Sequence, residues 1–203
     1  MNPMTPVVKA LLIANGLVFL LELTSAEPLI AQFALWPIAP QAQALGLALP
    51  FHPWQLVTYS FLHGGLMHIG FNMYALWLFG APMERVWGSR RFLTYYFVCV
   101  IGAGLVQLTI ASIGARTGMA YPTIGASGGI FGVLLAFGLT FPNQMLVLLI
   151  PPIPIRAKYF VLLYGAIELW AGVTGTEAGV AHFAHLGGML FGYLLIRYWR
   201  EAG

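Results

Sequence analysis

The sequence has very few charged residues and no aspartate. Its 203 residues include nine Lys or Arg and six acidic residues, all of them Glu. Charged residues make up 7% of the chain and hydrophobic residues 60%, whereas a soluble domain has about 25% charged residues. So few charges do not cover a water-facing surface, which excludes a soluble globular domain. The high hydrophobicity also excludes a disordered chain.

Two further shortages narrow the class of protein. The net charge is only +3, far from the clustered basic surface of a nucleic-acid-binding protein, so we expect no nucleic-acid partner. The single cysteine, Cys99, excludes an internal disulfide and a zinc site built from cysteines. A Ser-His-Asp triad, in which the Asp orients the histidine, is also excluded, because the sequence contains no aspartate.

Long apolar runs predict an all-α, polytopic membrane protein. A membrane-spanning helix needs about 20 mostly apolar residues, and six runs bounded by charges or turn formers meet this requirement. The predicted spans are approximately 7–24, 66–82, 92–113, 125–141, 157–174 and 181–198. Because most connections between them are short, we interpret 1–203 as a single membrane domain.

The segment 25–65 is the one long connection between predicted spans. It contains five prolines and aromatic-rich stretches such as FHPWQLVTYSFLH. Trp and Tyr prefer the membrane interface, so this loop is predicted to be partly embedded there. The first apolar run also has the regions of a signal peptide. Asn15 and Glu22 interrupt its apolar part, which favours a membrane helix.

The distribution of positive charge predicts the orientation. Cytoplasmic loops carry an excess of Lys and Arg. A cytoplasmic N-terminus puts eight of the nine basic residues on that side and leaves only Arg116 outside. The eight are Lys9, Arg85, Arg90, Arg91, Arg156, Lys158, Arg197 and Arg200. We expect an integral multi-pass protein and, from its compactness, a bacterial inner membrane.

Polar residues inside the predicted spans lie at one depth. Ionisable side chains in a membrane are costly and usually mark function. His68, Ser127, His182 and His185 all lie near the outer ends of even-numbered spans. The sequence therefore predicts a serine and several histidines close together, in a site toward the outer face of the membrane.

Ser127 is the candidate nucleophile of this site. It lies in TIGASGGIFG, which matches G-x-S-x-G, although no strand precedes it as in a hydrolase nucleophile elbow. A glycine-rich serine segment is also typical of close helix packing, in which the hydroxyl bonds only its own backbone. His185 is the candidate base, since imidazole accepts a hydroxyl proton near neutral pH. His182 is the competing base.

Glycines flank both candidate residues. Gly125, Gly128 and Gly132 surround the serine, while Gly188 and Gly192 share a helical face with the histidine. Each pair spaced by four residues forms a G-x-x-x-G packing motif. Two such faces are expected to meet and to bring the serine and the histidine within hydrogen-bond distance.

The sequence predicts a Ser-His pair without a third acidic member. Glu168 and Glu177 are available, but neither has a convincing spacing, and Glu168 has no assigned role. His68 and Asn72 lie four residues apart on one helical face. Together with the backbone N–H of Ser127, they are candidate donors to an oxyanion. A polar clamp between helices is the alternative for this pair.

A zinc site is a further alternative for the histidines. Imidazole binds zinc well, and His63, His68, His182 and His185 are available. No Glu follows any histidine, however, so the H-E-x-x-H motif of a metalloprotease is absent. We expect no metal and no cofactor, and His63 is expected to support the loop.

In combination, these motifs resemble those of the rhomboid family of intramembrane serine proteases. The matching elements are His68-x-x-x-Asn72, Glu84-x-x-x-Gly88-Ser89-x-Arg91-Phe92, Gly125-Ala126-Ser127-Gly128 and Ala184-His185-x-x-Gly188-x-x-x-Gly192. The resemblance implies a six-helix bundle with 25–65 as the interfacial L1 loop. It implies Ser127 as nucleophile, His185 as base, and His68, Asn72 and the Ser127 backbone as the oxyanion hole. The fifth span would then shape substrate access.

Two positions depart from the family pattern. Trp54-Gln55 stands where rhomboids often have Trp-Arg. Phe131 stands where some members have a Tyr packed on the catalytic histidine, and its ring is still expected to stack on imidazole. Neither departure changes the nucleophile or the base.

The function predicted from the sequence is hydrolysis of peptide bonds in or near transmembrane segments of other proteins. The expected partners are transmembrane protein substrates and the lipid bilayer, and no particular oligomeric state is predicted. A non-catalytic rhomboid-like protein that binds or escorts membrane clients is the alternative, although such proteins usually lack the catalytic pair. A transporter or channel ranks third, because no inverted repeat is visible.

Overall fold

A computed structural model describes residues 4–117, 120–147, 152–175 and 181–202. Within them the chain forms nine α-helices and one antiparallel pair of strands, so the mostly helical fold is confirmed. The helices are α1 (Pro6–Phe33), α2 (Pro40–Ala44), α3 (Gln55–Thr58), α4 (Leu66–Ala75), α5 (Ala81–Trp87), α6 (Ser89–Gly114), α7 (Ser127–Thr140), α8 (Ala157–Thr174) and α9 (His182–Glu201). The strands are β1 (Met145–Val147) and β2 (Pro154–Arg156), and a π-helical turn, Leu76–Gly80, joins α4 to α5.

Long apolar helices and exposed apolar side chains characterise this fold. Among the described residues, α1 and α6 are long and apolar enough to span a bilayer, with mean hydropathies of 1.9 and 2.0, and α7 is a shorter apolar helix. Large apolar side chains such as Leu23, Leu162 and Trp170 are exposed on the outside of the bundle. A soluble protein rarely exposes contiguous apolar surface on this scale, so this surface suits a lipid environment.

The first helix is longer than the sequence predicts. The predicted end of the first span at residue 24 lies next to a kink in α1, and a further helical stretch that contains Pro28 continues to Phe33, within the segment predicted as a loop. Ser25 has φ −145° and ψ 42°, which breaks the regular helical backbone. A proline ring clashes with the carbonyl four residues earlier in a regular helix, and this kink lies where that clash would occur.

The connection between α1 and α4 is fixed to the bundle by buried hydrogen bonds. The Tyr59 hydroxyl donates to the Val100 carbonyl at 2.9 Å, and the Gly125 N–H donates to the Tyr59 carbonyl at 2.9 Å. The His63 N–H donates to the two carboxylate oxygens of Glu22 at 3.0 and 3.1 Å. The loop therefore holds the turn that precedes α7.

Helices α6, α7 and α9 form the most closely packed part of the molecule. A Cβ added at Gly188 would overlap the carbonyl oxygen of Gly128, and one added at Gly132 would lie 2.9 Å from the carbonyl oxygen of Gly188. Helices α7 and α9 therefore touch backbone to backbone, as their glycine patterns predict. Gly192 differs from that prediction, since it faces the Tyr95 hydroxyl of α6.

Glu84 caps the beginning of α1 from a neighbouring helix. Its carboxylate is buried and accepts the N–H groups of Val7 and Val8, both at 2.9 Å, and the Ser89 hydroxyl at 2.7 Å. The first N–H groups of a helix lack acceptors within the helix, and a negative charge is favourable there. This contact ties α1 to α5 and α6.

Glu84→Gln is expected to lower the free energy of unfolding by about 1–3 kcal/mol, because it replaces charge-assisted hydrogen bonds with neutral ones. Thermal unfolding of the protein in detergent micelles measures this loss. Glu201→Gln is the control, since Glu201 pairs with Arg197 on the exposed surface, an interaction worth at most about 1 kcal/mol. Equal losses in the two variants would contradict the capping role.

Candidate active site

Ser127 and His185 meet where α7 and α9 begin. Ser127 is the first residue of α7, and its Oγ lies 2.6 Å from the Nε2 of His185. The close approach of Gly128 and Gly188 directly beneath them brings the two helix ends together. His182 instead directs its Nδ1 toward α8, and its Nε2 has no hydrogen-bond partner within the described residues.

The imidazole of His185 is held between two neighbours. The ring of Phe131 stacks on it with centroids 4.3 Å apart and 5° between the planes, which confirms the expected stacking. The other neighbour is the carboxylate of Glu168, whose Oε2 lies 2.8 Å from His185 Nδ1. The same oxygen lies 2.7 Å from His182 Nδ1.

The contact of Glu168 was missed because it joins two different helices, α8 and α9, and the spacing of residues along the chain does not show how two helices pack. The available signal was an ionisable residue in an apolar helix, on the face that α8 buries with Val161 and Ala171. That face identifies the inward direction but not the partner. Geometrically, the predicted Ser-His pair has a third polar neighbour. Glu177, the other acid considered, lies outside the described residues.

The zinc alternative built from four histidines is not assembled. His63 lies edge-on to His68 with centroids 5.0 Å apart. Within the described ranges, the grouped metal-ligand candidates are Glu168, His182 and His185. Their N···O distances of 2.7 and 2.8 Å are shorter than the roughly 3.3 Å between two ligand atoms around tetrahedral zinc. They are distances of direct hydrogen bonds.

His68 lies against the turn that carries the serine. The N–H of Gly64 donates to His68 Nδ1 at 3.2 Å, so in the neutral ring the proton is on Nε2. Gly125 has φ +125°, and a Cβ there would lie 2.8 Å from His68 Nε2. Gly125 thus allows a donor N–H to approach the backbone two residues before Ser127.

Asn72 and the start of α7 supply the remaining predicted donors. Asn72 Nδ2 donates to the His68 carbonyl at 2.9 Å, which uses one of its two N–H bonds. The backbone N–H of Ser127 lies in the first turn of a helix, where N–H groups have no acceptor within the helix. The three donors predicted from the sequence border the same cavity.

Gln55 occupies the position where the family pattern often has arginine. Its side chain is buried, and its Oε1 accepts the N–H groups of Trp36 and His52, both at 3.3 Å. Its Nε2 donates to the Gln32 carbonyl at 3.4 Å, and Trp54 Nε1 donates to the same carbonyl at 3.1 Å. The amide therefore organises the loop from within.

A cavity of about 1440 Å³ opens beside the Ser127 hydroxyl. Helices α4, α7 and α8 provide its walls, which are mainly apolar and include Phe71, Phe160 and Ile167. Its polar lining residues include His68, Asn72, Ser127 and His185. The chain thus places a serine and a histidine beside an apolar cavity, in a helical fold whose outer surface is apolar and suits a lipid environment.

The comparisons identify the family of this helical membrane protein. The Rhomboid domain model matches residues 50–201, so the chain belongs to the rhomboid family. It is 32% identical over 146 residues to Rhomboid protein 1, mitochondrial, of Saccharomyces cerevisiae, covering 68% of this chain and 40% of that protein. It is 30% identical over 151 residues to the human Presenilin-associated rhomboid-like protein, mitochondrial, covering 73% and 38%.

A bacterial relative carries the word protease in its name. Rhomboid protease GluP of Bacillus subtilis is 43% identical over 81 residues, which cover 40% of this chain and 14% of GluP. Each of these matches spans less than half the length of the relative. The relatives of this chain in the rhomboid family therefore include at least one that is named a protease.

Proposed function

We propose that this chain is an intramembrane serine endopeptidase that hydrolyses peptide bonds in or near transmembrane segments of other membrane proteins. The observation that carries the proposal is the 2.6 Å contact between Ser127 Oγ and His185 Nε2 beside an apolar cavity. A nucleophile and a base within hydrogen-bond reach are the minimum that acyl transfer requires.

In the first step, Ser127 Oγ attacks the scissile carbonyl carbon while its proton moves to His185 Nε2. The carbonyl oxygen becomes an oxyanion, which the Ser127 N–H, His68 Nε2–H and Asn72 Nδ2–H stabilise. Donors aimed at an oxyanion are usually the largest single contribution to such catalysis. His68 suits this role because its Nδ1 already accepts the Gly64 N–H.

In the second step, the tetrahedral intermediate collapses and the C–N bond breaks. His185 returns the proton to the leaving amine, and the acyl group stays on Ser127 Oγ. A water molecule then attacks this ester while His185 takes its proton. The C–Oγ bond breaks, His185 returns the proton to Ser127 Oγ, and the carboxylic acid product leaves. No cofactor takes part in these steps.

The cavity suits an unwound peptide segment. Small-molecule pockets have volumes of about 300–1,000 Å³, and the volume here is about 1440 Å³. Apolar walls from α4 and α8 accommodate side chains of a transmembrane segment, which enters from the lipid. A helix must unwind to expose a carbonyl, so we expect cleavage near small or helix-breaking residues, which weaken helices.

The proposal includes six membrane spans with a cytoplasmic N-terminus and the site toward the outer face. Helices α1, α4 with α5, α6, α7, α8 and α9 correspond to the six predicted apolar runs, and the connection after Phe33 would be the interfacial L1 loop. The bacterial inner membrane stays a prediction, since the relatives include mitochondrial and bacterial proteins.

The proposal is tested with a single-span reporter protein reconstituted with the enzyme in liposomes, alongside labelling by a fluorophosphonate. We expect the parent protein to cleave the reporter within or next to its span and to carry the label on Ser127. Ser127→Ala is expected to lose both signals. Cleavage that persists in Ser127→Ala would overturn the mechanism. A folded parent that neither cleaves nor labels would favour the client-binding alternative.

A further inference from the structure

Glu168 is the polar residue that α8 buries against the site. The residues that α8 buries are Ala157, Val161, Glu168 and Ala171, so three of its four buried side chains are apolar. An acidic group in such a helix is costly unless it has a specific partner. One oxygen of the Glu168 carboxylate, Oε2, contacts both His182 Nδ1 and His185 Nδ1.

This contact selects one tautomer of His185. An ionised carboxylate only accepts hydrogen bonds, so the Nδ1 of His185 must carry a proton and donate a hydrogen bond to Glu168. In the neutral ring, the Nε2 then has a free lone pair. That lone pair faces the Ser127 hydroxyl at 2.6 Å, which is the arrangement required for the histidine to take the serine proton.

The three groups therefore form a continuous chain of hydrogen bonds from Glu168 through His185 to Ser127. The ring of Phe131 stacks on one face of the imidazole and restrains its tilt. The hydrogen bond to the Glu168 carboxylate fixes the rotation of the imidazole within its own plane, a motion that stacking leaves free. Each neighbour thus restricts a different motion of the base.

We propose that Glu168 is a positioning residue that holds His185 in the productive tautomer and orientation and stabilises the imidazolium formed during catalysis. This inference rests on the proposed protease function. It replaces the isolated Ser-His pair with a Ser-His-Glu arrangement in which the Nδ1 proton remains on His185 throughout. In Ser-His-Asp proteases, replacing Asp by Asn keeps the geometry and lowers kcat about 10⁴-fold through the wrong tautomer.

His182 also donates a hydrogen bond to Glu168 Oε2. A His182 variant therefore tests whether Glu168 positions His185 or only attaches α8 to α9. If Glu168 only attached α8 to α9, its bond to His182 would serve as well as its bond to His185. Positioning requires the His185 bond alone. His182→Asn keeps a side-chain N–H donor in the same turn of α9, so we expect it to lower kcat far less than Glu168→Gln.

The test compares Glu168→Gln, Glu168→Asp and His182→Asn with the parent in the liposome cleavage assay. Glu168→Gln is expected to lower kcat about 10²- to 10⁴-fold, to leave KM within about threefold because the residue does not contact substrate, and to slow fluorophosphonate labelling of Ser127 by a similar factor. Glu168→Asp keeps the charge and is expected to recover at least about tenfold of the kcat lost in Glu168→Gln.

Glu84→Gln is the matched control, since it neutralises another buried and hydrogen-bonded glutamate. Glu84 lies twelve residues beyond Asn72 along α4 and α5, which is about 18 Å at 1.5 Å per residue. We expect this variant to lose thermal stability while its kcat per folded molecule stays that of the parent. If it does, a lower unfolding temperature alone does not account for a loss of kcat in Glu168→Gln.

The outcomes separate the two proposals. Loss of kcat and of labelling rate in Glu168→Gln, with recovery in Glu168→Asp, would support positioning. Parent-like kcat and labelling in folded Glu168→Gln, while Ser127→Ala is inactive, would overturn the role of Glu168 and leave the protease proposal intact. A change confined to the unfolding temperature would also overturn it. A parent that neither cleaves nor labels would overturn both.

Discussion

Ser127→Ala, His185→Ala and the double variant are expected to reach the same residual rate of peptide hydrolysis, at least about 10⁴-fold below the parent. The physical reason is the direct hydrogen bond between Ser127 Oγ and His185 Nε2, which makes the proposed nucleophile and base act as one unit. Once either is removed, the other contributes almost nothing to the remaining rate. Initial rates of reporter cleavage in liposomes, corrected for the folded fraction, measure the three losses.

A serine outside the cavity provides the control for this experiment. Ser112 of α6 donates its hydroxyl to the Leu108 carbonyl and accepts the N–H of Ile38. Ser112→Ala removes a hydroxyl without touching the site and is expected to retain the parent kcat. Losses in the double variant that multiply those of the single variants would show that the two residues act independently, contrary to the proposal.

Gly188→Ala is expected to have the largest structural effect of any single methyl addition to the site. Its Cβ would overlap the Gly128 carbonyl oxygen, and backbone atoms do not move aside as flexible side chains do. Helices α7 and α9 would have to separate, at a cost of about 1–3 kcal/mol or more. Because those helices carry Ser127 and His185, a shift of about 1 Å is also expected to lower kcat roughly 10²-fold.

Gly16→Ala is the matched comparison for this substitution. Gly16 lies within α1, and a Cβ there would have no atom within 4 Å. Alanine is favoured over glycine within a helix by about 1 kcal/mol, so the unfolding temperature is expected to stay constant or rise. Unfolding and reporter cleavage are measured for both variants. A Gly188→Ala protein as stable and active as Gly16→Ala would contradict the close helix contact.

The helices and the contact between the candidate residues Ser127 and His185 were predictable from the sequence because their signals are local. The apolar run 157–174 coincides with α8 in both bounds. Counting residues along each predicted span placed Ser127 and His185 at one level, and their side chains are in contact. Glycines spaced by four residues predicted the contact of α7 with α9, which depends on the absence of side chains at those positions.

What the sequence did not predict depends on how individual helices pack against one another. Glu168 finds its partners only when α8 packs beside α9, and no spacing along the chain records that. The end of α1 at Phe33 was missed because Pro28 is a loop former in most contexts, whereas the kink at Ser25 accommodates it within the helix. Gly192 faces α6 rather than α7, a choice between neighbours that a periodic pattern leaves open.

Under the proposed function, the tight contact of α7 with α9 fixes the reacting groups, whereas α8, which is less closely packed, borders the space that accepts the target. Apart from His68 and Asn72, the side chains with which α4 and α8 line the cavity, such as Phe71 and Ile167, have no proposed role in the reaction, so substitutions there are free to alter which peptide segment is accepted. Under the same proposal, related rhomboid proteins would be able to diverge in target choice while their reaction stays the same. Glu168 lies on α8 and contacts the base, and through it a displacement of α8 would reach the base itself.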